Sequence, residues 1–165
     1  MYNLAKLIAG YAQPGVVTWI GLRAERLAPP ISVQNATIDE SGLENDHGRP
    51  GKRAVTLIQA EHLAVIGAML GRGPIDPSVL RRNFVISGLN LNALKGRRVQ
   101  IGAAILEITG ICAPCSRMEA ALGNGGYSAM RGHGGWCATV LQTGHVWVGD
   151  HVSPLSALSD SDCVK

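Results

Sequence analysis

Short runs of Val, Ile, Leu and Thr recur along this chain, and most of them stop at a glycine or a proline. That pattern limits the fold more than any other feature of the sequence, because short β-type runs bounded by turn residues must pair with one another to satisfy their backbones. With 21 Gly, 8 Pro and a single Phe among 165 residues, the core has to be built from aliphatic side chains around many tight turns. Gly15 to Arg23 reads as a first strand, and Ser32 to Ile38, after Pro29-Pro30, as a second. Asp39 to Lys52 reads as a long loop and Arg53 to Ile58 as a short buried strand. Gln59 to Leu70 carries apolar residues at helical spacing, with Gly71 placed to end the helix. Asp76-Pro77 opens a second, short helix by pairing an N-cap with a first-turn proline.

Phe84 to Ser87, Arg98 to Ile101 and Ala104 to Thr109 are further strands, the last two joined at Gly102. Ser116 with Glu119 has the spacing of a capping box, which predicts a third helix ending at Gly123. Gly123 to Gly135, with six glycines, reads as a mobile lid-like segment. Trp136 to Gln142 and His145 to Val148 read as a hairpin about Thr143-Gly144. The sum is a mainly β chain with two or three short helices, a β-barrel core with helical decoration, in one domain spanning 1–165.

Composition excludes several functions. A net charge of +3 and 4% aromatic residues give neither the electrostatics nor the stacking surface of a nucleic-acid binder. No apolar stretch reaches the roughly 18 residues of a membrane span. Cys112, Cys115, Cys137 and Cys163 are expected as free thiols of a cytoplasmic protein, since no secretory signal precedes them.

Ile111 to Glu119, ICAPCSRME, is the segment richest in chemistry. Cys115 stands just before the predicted N-cap Ser116, where unpaired N–H groups and the adjacent Arg117 favour a thiolate suited to metal ligation or nucleophilic attack. The plain alternative is a small buried hydrophobe. Cys112 and Cys115 also make a C-x-x-C, open to a redox dithiol or, with His133 and Cys137, to zinc. Arg81, Arg82 and Asn83 offer a guanidinium fork and an amide to an anionic ligand, or else form a solvated basic corner. Asp46 and His47, in the long loop ahead of Arg49, Lys52 and Arg53, are candidates for proton transfer, as is His133 between its glycines.

Arg53 to Ile58 with Glu61, Leu80-Arg81-Arg82-Asn83, Gly88-Leu89, Leu94 with Gly96, Ile101-Gly102, Leu106-Glu107, Pro114-Cys115 and Gly144 to Val152 occur in the order found in MOSC domains. From about residue 17 to 152 the chain resembles that family, named for the C-terminal domain of molybdenum cofactor sulfurases. The resemblance implies a distorted, pyruvate-kinase-like β-barrel that binds the molybdenum–pterin cofactor. It implies that Cys115 either ligates molybdenum or carries sulfur as a persulfide. It places Arg81 and Asn83 in the cofactor pocket; Arg82, Arg53, Ser116 and Arg117 are expected to join them in binding the cofactor. It further implies a reductase of N-hydroxylated compounds served by a separate electron donor, or a carrier receiving sulfur from a donor protein. No pyridoxal phosphate site is expected. His47 follows Asp46 directly, where relatives place the histidine two residues on, and Cys137 stands near a position where they often carry tyrosine.

Overall fold

The computed structural model describes residues 1–156. Seven strands close into a barrel: β1 (Gly15–Leu22), β5 (Val55–Gln59), β6 (Phe84–Ser87), β7 (Arg98–Ile101), β8 (Ala104–Ile111), β9 (Trp136–Gln142) and β11 (His151–Pro154). Around the ring the order is β11, β7, β8, β9, β5, β6, β1, and β1 returns to β11 through Gly15↔Val152 and Val16↔His151. Every pairing is antiparallel except β5 with β6, whose connection carries α2 (Ala60–Met69) and α3 (Pro77–Leu80). Such a crossover is what a parallel pair requires.

Three further strands, β3 (Asn35–Asp39), β4 (Gly42–Leu43) and β10 (Gly144–Trp147), form a small second sheet, and β2 (Ile31–Val33) extends β1. Two departures from the sequence reading lie here. The run Ser32 to Ile38 is broken at Gln34, because its first part pairs with β1 and its second with β10. Trp136 to Gln142 and His145 to Val148 do not form a hairpin: β9 pairs with β8 and β5, whereas β10 crosses to β3. Backbone pairing with a distant strand overrides the turn signal at Thr143-Gly144. β11, which closes the barrel, is too short to stand out in the sequence.

Five helices are present among the described residues, more than the two or three expected, the additions being α1 (Leu4–Ala9) and α5 (Gly126–Met130). α5 occupies the segment read as a mobile lid. Its start is held by Glu119, whose carboxylate oxygens accept from the backbone N–H groups of Gly125 (2.8 Å) and Tyr127 (2.7 Å). Glu119 therefore caps the next helix instead of completing a capping box in its own.

The barrel interior is filled by aliphatic side chains including Val17, Ile20, Leu57, Ile86, Ile101 and Leu106, all without solvent exposure, around the single phenylalanine, Phe84. A second cluster, with Ile66, Leu80, Met118 and Met130 among its members, lies beneath the helices. No described helix is long and apolar enough to cross a membrane. Phe84 pairs with Leu57 across the parallel step and with Ile20 on the other side, so Phe84→Ala empties the middle of the barrel. Urea denaturation is expected to show a loss of about 3–5 kcal/mol; a loss below about 1 kcal/mol would contradict this packing.

Candidate functional site

The long loop between β4 and β5 is held at two points, one at its base and one against the end of β1. Gly42 has φ +120°, and a side chain there would collide with the Ala54 carbonyl, so only glycine lets the two segments meet. The second point is Asp46. Its carboxylate has no exposure and faces Arg23, accepting from the Arg23 backbone N–H at 2.6 Å, from Nε at 3.2 Å and from Nη2 at 2.8 Å. The His47 N–H donates to the Arg23 carbonyl at 2.8 Å.

Arg23 also reaches inward, to the Arg81 carbonyl (3.1 Å) and to Asn83 Oδ1 (3.4 Å). Asn83 is wholly buried. Its Oδ1 accepts from Thr56 N (3.0 Å) and Oγ1 (2.9 Å), and its Nδ2 donates to the Gly21 carbonyl (3.3 Å), so one side chain ties β1, β5 and the start of β6 together.

Above this floor opens a cavity of about 520 Å³ lined by Arg23, Arg26, His47, Gly48, Arg49, Arg53 and Thr56. No acidic side chain lines it. Four guanidinium groups around one concavity favour an anion, since Arg presents paired donors that match phosphate or carboxylate oxygens. His47 is half-buried, and its Nδ1 is buried without a hydrogen-bond partner. Burial and the Arg23 guanidinium, with smaller contributions from Arg81 and Arg26, hold its pKa below the ordinary imidazole value against the opposing pull of Asp46. The imidazole is thus biased toward its neutral form at the edge of an arginine-lined space, with Nδ1 enclosed by the protein.

Arg81 links this cavity to the cysteine segment. It sits in the left-handed conformation (φ 61°) at the end of α3 and donates to the carbonyls of Ala28 (2.6 Å) and Arg26 (2.7 Å). Burial and the Arg23 and Arg117 charges lower its pKa, while Asp46 and Cys115 act in the opposite sense. Cys115 is exposed. It is itself the N-cap of α4 (Ser116–Leu122), one residue earlier than the sequence suggested, and its carbonyl accepts from Met118 N at 2.8 Å. Ser116 and Arg117 follow it, both exposed, in the first turn.

Other residues singled out in the sequence sit elsewhere. Arg82 is buried and donates to the carbonyls of Gly134 (2.8 Å), Leu80 (2.7 Å) and Cys112 (3.2 Å), fixing the Cys112–Cys115 connection from beneath. His133 does not line the cavity. Its ring packs edge-on to His62 of α2 at 4.9 Å, with Nδ1 buried and unpartnered. Cys112 and Cys137 are buried and Cys115 is exposed, all three as free thiols, and Cys137 Sγ approaches the Ile111 carbonyl at 4.0 Å. No group of three or more His, Cys, Asp or Glu side chains that could hold a metal ion occurs among the described residues. Cys163 lies outside them.

Arg23, Arg26, Arg49 and Thr56 are the lining residues that the sequence reading did not place at the site. They lie on three separate segments that only the barrel brings together, and Arg23 looked like the end of a strand.

The MOSC domain profile matches residues 43–153, more than half of the chain. The chain belongs to the MOSC domain family. Known structures agree on the fold. YuaD from Bacillus subtilis superposes with a TM-score of 0.77 at 18% identity, over 88% of this chain and 97% of that one. YiiM from Geobacillus stearothermophilus gives 0.72 at 18% identity over 87% and 76%. YiiM from Escherichia coli gives 0.70 at 19% identity over 90% and 73%. No curated protein matches the sequence. In this MOSC protein the family match begins at Leu43 and takes in the loop that carries Asp46 and His47, but not β1 or Arg23.

Because the folded pKa of His47 lies below that of the unfolded chain, unfolded protein takes up the proton first as pH falls. The stability tied to neutral His47 is present above pH about 6.5 and declines as acidification proceeds toward the folded value. NMR titration is expected to place the His47 midpoint below 6.5. Asp46→Asn, which removes the opposing carboxylate, is expected to move it lower still; an upward move would contradict this charge arrangement.

Proposed function

We propose that this MOSC protein binds the molybdenum–pterin cofactor, its anionic tail in the arginine-lined cavity and Cys115 as the single protein ligand to molybdenum. The observation that carries the reading is the cavity itself: four arginines, no acid, and a buried imidazole nitrogen without a partner. The donor set suits the group. A phosphate takes up guanidinium donors pairwise, and a soft thiolate matches molybdenum, whose remaining ligands the pterin dithiolene would supply.

Arg26, Arg49 and Arg53 are the residues free to hold the phosphate, because Arg23 is already engaged by Asp46. Cys115 precedes the first turn of α4, with Arg117 in that turn. Asn83, Arg82 and Asp46 act one step back: they hold Thr56, the cysteine segment and Arg23 in position. When bound, the cofactor would supply two-electron chemistry, and we assign the protein to reduction of N-hydroxylated compounds with electrons from a separate donor. His47, biased toward its neutral form and lining the cavity, is the group we assign to proton transfer. The exposure of Cys115 supports a second reading, in which a donor protein loads sulfur onto its Sγ as a persulfide for delivery to a metal–sulfur centre.

Protein produced in a cofactor-competent host is expected to carry near-stoichiometric molybdenum and pterin, both lost in Cys115→Ala. Molybdenum absent from both, with an additional 32 Da on Cys115 by mass spectrometry, would replace the reductase by the sulfur carrier. Arg49→Glu with Arg53→Glu is expected to lower pterin retention at least tenfold, a loss of about 1.4 kcal/mol or more. Unchanged retention would remove the phosphate from this cavity.

A further inference from the structure

A second concavity, of about 620 Å³, opens at the other end of the barrel, lined by the Gly102 turn and by residues of β7, β10 and β11. Strand β8 runs from Ala104, beside that turn, to Ile111, the residue before Cys112, so roughly 20 Å of barrel wall separates this shelf from the cysteine segment. None of the residues lining the arginine-rich cavity lines this one.

Its distinguishing group is Trp147, 52% exposed although tryptophan ordinarily hides most of its apolar surface. The residue is held from two sides. Its backbone N–H donates to Asp150 Oδ2 at 2.8 Å, and its carbonyl accepts from Asp150 N at 3.1 Å. Its ring packs edge-to-face with His145, centroids 5.4 Å apart at 63°. His145 is itself fixed: Nε2 donates to Asn35 Oδ1 (3.2 Å), and Nδ1 accepts from the Thr37 hydroxyl (3.2 Å). An exposed indole braced in this way is a preformed stacking platform.

The rim is polar. Gln100 and Ser153 stand directly opposite each other in the β7–β11 ladder, and His151, two residues before Ser153, shares their side of the strand. Each of these three side chains can both donate and accept. Gln100 uses Nε2 on the Gly102 carbonyl at 3.2 Å, which leaves its Oε1 for a ligand. No Lys or Arg among the described residues lines the shelf, so it offers an anion nothing. Its single carboxylate, Asp150, is already engaged by the Trp147 N–H, which weakens the case for a cation. The 63° angle of His145 to the indole denies a flat base the second parallel wall of a stacking slot. A puckered ring with one C–H face and hydroxyls around its edge matches what remains.

We propose that this shelf binds a neutral hexopyranose, its C–H face on Trp147 and its hydroxyls on Gln100, Asp150 and His151, independently of any cofactor and of Cys115.

Full-length ¹⁵N-labelled protein would be titrated with the methyl glycosides of glucose, galactose and mannose. The three tryptophans give three indole N–H cross-peaks, of which Trp147→Phe assigns the exposed one. At least one glycoside is expected to move the Trp147 indole and Gln100 side-chain peaks saturably, with a Kd of about 1–10 mM, while peaks from residues 45–49 and 112–117 stay in place. Trp147→Ala, followed at the Gln100 amide, should weaken binding at least tenfold, and Trp147→Phe should retain most of it. Should Trp147→Ala disturb the spectrum away from the shelf, Gln100→Ala takes its place, read at the Trp147 indole, with a loss of at least threefold expected. No movement with any of the three glycosides up to about 100 mM would overturn the proposal, as would equal binding by the variants. Adenosine or tetramethylammonium moving the Trp147 peak where no glycoside does would overturn it too.

Discussion

The side chain of Asn83 is the point on which the rest of this structure depends. It is fully buried, and a buried amide tolerates few unsatisfied groups. Here its oxygen takes two hydrogen bonds from Thr56, with Arg23 approaching, and its nitrogen donates to Gly21. The strands it joins are β1, β5 and β6, which include the one parallel step of the barrel, where ladder geometry is least favourable. Arg23 extends the same network outward to Asp46 and so to the loop that carries His47. Barrel register and cavity wall are consequently one connected hydrogen-bond system, and a change at either end is felt at the other.

This connection explains why charged residues at the site divide into two kinds. Arg23 and Arg82 are consumed by carboxylate or carbonyl partners and contribute rigidity. Arg49 and Arg53 are exposed, and with Arg26 they line the cavity and remain available to a ligand. A preorganised wall with a few free donors is the arrangement that binds an anion without first reorganising the protein.

Much of the fold was legible in the sequence, because each strand that pairs locally carries its own signal. β6 and β7 begin and end where the apolar runs do, and α3 starts at the Asp76 cap, whose side chain accepts from Ser78 N. What escaped was non-local. The pairing of β10 with β3 joins residues more than a hundred positions apart, and the role of Glu119 depends on a helix that local propensity does not announce. At the site, Cys115 was visible from its position before a helix. Of the arginines around the cavity only Arg53 was, because Arg23 and Arg26 sit in one segment and Arg49 and Arg53 in another, with no shared motif. Asn83 and Arg82 were visible as residues of interest, but only packing reveals that they are buried supports.

The barrel is closed by its first and last strands, joined by only two residue pairs, Gly15↔Val152 and Val16↔His151. During synthesis β1 must wait for nearly the whole chain to leave the ribosome before its partner exists. Until then the sheet has two open edges of mostly aliphatic strands, the state from which edge-to-edge aggregation starts. Closure of so long a loop is slow to nucleate and contributes little ladder once made. The seam between β1 and β11 is therefore the natural place for the barrel to form last and to open first.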